Sequence, residues 1–142
     1  MKNLILSLSI FCSTFSFAQK SQNYVQISYL SICCGTPSTA PVTNYLSQFQ
    51  KKSKIKTFEI LKQSGLGREG EFNLYVGIDQ LSKIQKTKFI KGLQEAVSLQ
   101  NTKRNDGSDG YVNFEPATIV TKKNLASKKN LTIYKNNLSK IK

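Results

Sequence analysis

The sequence predicts an α+β domain of the ferredoxin-like kind, a βαββαβ two-layer sandwich with an antiparallel sheet and two helices on one face. It is preceded by an N-terminal signal peptide and followed by a basic C-terminal tail. Three observations lead there. Phe72, Leu74, Val76 and Ile78 alternate with Asn73, Tyr75 and Gly77, a strand period. Val42, Tyr45, Leu46 and Phe49 fall at helical spacing on one stripe. Segments of these two kinds then follow one another in the order strand, helix, strand, strand, helix, strand.

The first strand is expected over residues 24 to 34, where Val25, Ile27 and Tyr29 alternate with Gln26 and Ser28 before Leu30 and Ile32. Gly35-Thr36-Pro37-Ser38 breaks it, and Thr39 or Ala40 with Pro41 opens a helix, because proline is tolerated in a first turn. Lys51, Lys52 and Lys54 suit the carbonyl end of that helix. A second strand over 55 to 62 contains Phe58, Ile60 and Leu61. The loop Ser64-Gly65-Leu66-Gly67-Arg68-Glu69-Gly70 joins it to the third strand, 71 to 78, as a hairpin.

Asp79 or Ser82 caps the second helix, with Gln85 placed for a capping box and Leu81, Ile84, Phe89, Ile90, Leu93 and Val97 on its buried side. A polar turn, 101 to 110, leads to a fourth strand over 111 to 121. Pro116 within it implies an edge position or a bulge. Domain organisation is thus a signal peptide at 1–18, a single α+β domain at 19–121, and a basic Lys/Asn-rich tail at 122–142. In that tail Leu131, Tyr134, Leu138 and Ile141 either line a short amphipathic helix or belong to a disordered segment.

Residues 1 to 18 have the layout of a cleaved secretory signal: Lys2, an apolar run from Leu4 to Phe17, and the small-residue site Ser16-Phe17-Ala18. The run is shorter than the roughly 20 residues a spanning helix needs. The expectation is a periplasmic or secreted protein, not transmembrane after cleavage. Cleavage removes Cys12, one of three cysteines, and leaves Cys33 and Cys34 in an oxidising compartment.

The chain of 142 residues has a net charge of +13 and no histidine. Without histidine, Ser-His-Asp and Cys-His catalysis are excluded. From residue 122 onward there are seven lysines and no acid. Such a segment suits an anionic surface or an unknown protein partner. Nucleic acid is not expected, given export and the absence of a basic face with interleaved aromatics.

Cys33 and Cys34 are the main candidate site. Neighbouring strand residues point to opposite faces, which would bury one thiol and leave the other at the strand's end. A disulfide between them is disfavoured by the short Cα separation of consecutive residues. The alternatives are a strained vicinal disulfide, a disulfide-linked or thiol-bridged homodimer, soft-metal binding through Cys33 and Cys34, or a redox thiol with Cys34 as the attacking group. In outline the pair resembles heavy-metal-associated metallochaperone domains, where a C-x-x-C loop holds a thiophilic ion at the junction of first strand and first helix. This chain has no residues between its cysteines and no Met or His beside them. The resemblance implies soft-metal contact at Cys33 and Cys34.

Other motifs point to structure. Gly65, Gly67 and Gly70 fit G-x-G-x-x-G, but a strand follows where a dinucleotide site needs a helix, so they read as turn glycines. Glu69 and Glu71 beside Arg68 read as a solvated hairpin tip. Asp106-Gly107-Ser108-Asp109-Gly110 fails the calcium-loop register and reads as a turn. Asn130-Leu131-Thr132 and Asn137-Leu138-Ser139 are glycosylation sequons where the host modifies exported asparagines. The expected function is a non-enzymatic exported binding domain, with a thiol redox protein and a surface-docking tail as alternatives.

Overall fold

The computed structural model describes residues 21–135. The signal at 1–18, the second sequon and the tail positions Leu138 and Ile141 lie outside the described residues. The elements are β1 (Asn23–Leu30), α1 (Ala40–Ser53), β2 (Ile60–Gln63), β3 (Phe72–Gly77), α2 (Lys83–Thr102), β4 (Tyr111–Thr121), α3 (Lys122–Ala126) and β5 (Leu131–Ile133). They build an α+β domain around a five-stranded antiparallel sheet in the order β4-β1-β3-β2-β5.

The βαββαβ expectation is corrected at its C-terminal end. A four-strand sandwich with two helices would stop at Thr121, whereas the chain continues through α3 and adds a fifth strand against β2. Leu131, expected in a tail that is either a short amphipathic helix or disordered, instead pairs with Gln63 in the sheet. The reason is local. Thr121 caps α3 and Asn124 returns a bond to the Thr121 backbone, so the chain turns sharply over the sheet. Asn130, at φ 56, then reverses it into β5 alongside a strand whose outer edge is free.

Helix α1 starts at Thr39 with proline in its first turn and stops at Lys54, which adopts a left-handed C-cap. Helix α2 starts in the expected Ser82–Gln85 capping box. Both lay apolar stripes on the sheet face formed by Val25, Ile27, Tyr29, Phe72, Leu74, Val76, Val112 and Phe114. Ile84 does not join that stripe. It lies in the first turn of α2 and is 70% exposed.

Strand alternation sends Tyr24 and Tyr75 to the opposite face, where Val120 and Leu125 cover them as a second, smaller core. Pro116 occupies both predicted settings at once. Strand β4 is an edge, and its pairing with β1 shifts register between Val25 and Ile27, opposite the segment that holds the proline.

Candidate site: a vicinal cysteine pair beside a cleft

Strand β1 ends at Leu30, earlier than expected, so Cys33 and Cys34 lie in the loop beyond it. The expectation of one buried thiol therefore fails: both cysteines are exposed. Their sulfurs are at disulfide distance, closing a small ring through the peptide that joins them, where Cα separation alone disfavoured the bond. In this form neither sulfur is a thiolate, so the soft-metal reading of Cys33 and Cys34 applies only to the reduced pair. Among the described residues no three His, Cys, Asp or Glu side chains gather where they could hold a metal ion.

The loop is held in place from several sides. Ser31 Oγ accepts the Gly35 backbone N–H at 3.1 Å, closing the turn around the cysteines. Gly35, at φ 100, occupies a conformation that side chains rarely adopt. Across from it, Gly110 immediately precedes β4 in tight contact with this loop. A Cβ there would meet Pro37 Cδ at 2.9 Å and Gly35 O at 3.0 Å, and would collide with the carbonyl oxygen of Leu30. Only glycine lets the two backbones approach so closely.

Between the cysteine loop, the end of α2 and the α2–β4 turn lies a cleft of about 280 Å³. Cys34 is on its wall and Cys33 is not. Its polar lining includes Gln100, Lys103, Arg104 and Asp109. Gln100 Nε2 donates to the Ser38 carbonyl at 2.8 Å, while its Oε1 is buried with no hydrogen-bond partner among the described residues.

Arg104 is committed to the turn: it pairs with Asp106 at 2.9 Å and donates to the Asp109 carbonyl at 3.2 Å. The Asp109 carboxylate is likewise engaged, accepting the Asn105 N–H at 2.8 Å and the Ser108 hydroxyl at 3.2 Å. Lys103 has no ion pair among the described residues, so it is the unpaired cation of the cleft. A second cavity, about 410 Å³, shares Asn101 and Arg104 with this cleft and is lined by Val97, Asn113 and Phe114 among others.

The remaining motifs are structural. Gly65 and Gly70 both take positive φ in the β2–β3 hairpin loop. Glu71 accepts the Glu69 backbone N–H at 3.0 Å, so that carboxylate ties the hairpin tip together. Asp106 to Gly110 form the turn already described. Sequence reasoning located the cysteines but missed Gln100, Lys103 and Asp109, which are far away in sequence. The available signal was the sheet order: once β4 pairs with β1, the residues after Leu30 must lie beside those before Tyr111. Comparison with protein-family models, curated proteins and solved structures finds no significant match to this chain.

Proposed function

We propose that this chain is an exported, non-enzymatic binding domain whose ligand site is the cleft beside Cys33 and Cys34. The observation that supports it is the exposed cysteine ring at the wall of a polar cleft containing the unpaired Lys103 cation. The apolar leader ending at Ala18 supports export. A ferredoxin-like description of the first four strands is supported by their connections. Helix α1 joins β1 to β2 with β3 between them, and α2 joins β3 to β4 with β1 between them. A second reading, a thiol redox role through Cys34, is favoured by the bonded sulfurs.

Intact mass of the protein purified from its native compartment tests export and sulfur state together. The expected species is a monomer beginning at Gln19 that gains a pair of hydrogens on reduction. Amide chemical shifts recorded against a library of small polar fragments test the site. Binders should move Gly35, Lys103 and Gly110. A set of binders that moved only residues of the Val97–Phe114 cavity would overturn the assignment.

A further inference from the structure

We propose that the cleft is a thiol–disulfide exchange site at which the Cys34 sulfur is attacked by the thiolate of a small anionic thiol, with Cys33 as the leaving group. The inference rests on the cleft being the ligand site and adds its chemistry and ligand class. Three observations converge on it. The disulfide is exposed, so no unfolding is needed for access. Only Cys34 faces the cleft, so a nucleophile entering there meets that sulfur, and the bond it breaks directs the departing charge to Cys33 outside. Lys103 is a cleft cation with no ion pair among the described residues, while the Asp109 carboxylate of the same lining is turned to Asn105 and Ser108, so a ligand whose second group is anionic is placed against Lys103.

The step balances without another reagent. The incoming thiol loses its proton to water, and its sulfur forms a bond to Cys34 Sγ. The Cys33–Cys34 bond breaks with its electron pair on Cys33 Sγ, which takes a proton from water. The incoming sulfur is oxidised into the mixed disulfide as Cys33 is reduced. Attack of Cys33 on that mixed disulfide reverses the step and releases the thiol.

The oxidised full chain, treated with mercaptopropionate or cysteamine at matched thiolate concentration and quenched with iodoacetamide, provides the test by peptide mapping. The expected product has the thiol on Cys34 and the carbamidomethyl group on Cys33. Relative to their rates with a small neutral disulfide under the same conditions, mercaptopropionate should gain about tenfold over cysteamine at low salt. That preference should shrink as salt is added and largely vanish in Lys103→Gln. Adducts shared equally between the cysteines, or equal rates for the two thiols relative to that reference, would overturn the exchange. As a second route, Cys33→Ser treated with the oxidised, disulfide form of mercaptopropionate should acquire its adduct faster than Cys34→Ser. Equal rates there count against the proposal. Propionate, which lacks the thiol, separates the two ideas. If it shifts the Gly35, Lys103 and Gly110 amides while exchange is unselective, the cleft stands and the exchange falls. If it shifts none of them, an anion-accepting cleft is wrong and the exchange falls with it.

Discussion

Asp79 shows how one carboxylate fixes the start of the fold. It accepts the Asn23 backbone N–H at 3.0 Å, the Asn23 side-chain amide at 2.8 Å and the Gln22 backbone N–H, tying the entry of β1 to the exit of β3. Partial burial opposes its charge, but these donors and the nearby Lys86 hold its carboxyl below the usual carboxylate range. A lowered folded value means the stabilisation is present above the unfolded pKa of about 3.9 and is lost as pH falls through the folded value. Asp79→Asn should therefore be less stable at neutral pH and should show a flatter loss of stability on acidification. Urea midpoints measured along a pH series check this, and parallel pH slopes for the two proteins would refute it. Glu59 plays a similar part, accepting the Ser21 N–H at 2.9 Å and the Tyr24 hydroxyl at 3.0 Å, with burial first and Glu59 second raising the Tyr24 phenol.

Strands β4 and β5 are the two edges of the sheet among the described residues, and β4, at eleven residues against three, has the longer edge to manage. Its outer side is unpaired in the sheet, and such an edge can template pairing with another chain. Asn101, in the last turn of α2, answers this at one point. Its Nδ2 donates to the Val112 carbonyl at 2.7 Å, and its Oδ1 accepts the Val112 N–H at 3.0 Å, as a neighbouring strand would. Pro116 and the register shift interrupt the rest of the edge. Asn101→Ala should cost about 1–2 kcal/mol, since it leaves a half-buried backbone pair unsatisfied. It should also raise self-association, read by thermal unfolding and by sedimentation, and an unchanged melt would refute the clamp. Much of this level was legible in the chain. The Phe72–Ile78 alternation, the Ser82–Gln85 capping box and the span of β4 depend on local periodicity and local hydrogen bonds, which neighbouring residues determine. Ile84 and the end of β1 were not, because their exposure and pairing depend on distant partners. The cleft was unreadable for the same reason: its walls meet only after β4 pairs with β1.

At the scale of the molecule the sheet is covered on both sides, unequally. An antiparallel sheet can leave one face to water. Here α1 and α2 cover one face completely, while the other begins with Gln26, Ser28 and Asn73 and then becomes apolar at Tyr24 and Tyr75. That apolar end explains why the chain does not stop at Thr121. Leu125 of α3 is 2% exposed and closes over Tyr24, Tyr75 and Val120, with Leu131 of β5 and Leu61 of β2 at its margin. Tyr134 then crosses to the other side, where it packs on the main core and its hydroxyl lies 3.1 Å from that of Thr39 at the start of α1. The lysine-rich segment after residue 121 thus has an ordered part that serves the fold, and its lysines are spaced around the apolar residues that do so. Truncation after Thr121 should expose two buried tyrosines and free the β2 edge, giving a protein that binds hydrophobic dyes and unfolds at lower denaturant. Leu125→Ala removes only the lid and should cost about 2–5 kcal/mol. If both variants kept the parent's unfolding midpoint, residues 122–134 would be an appendage to the fold. If Leu125→Ala alone reproduced most of the truncation's loss, the second core would be the reason these residues are ordered.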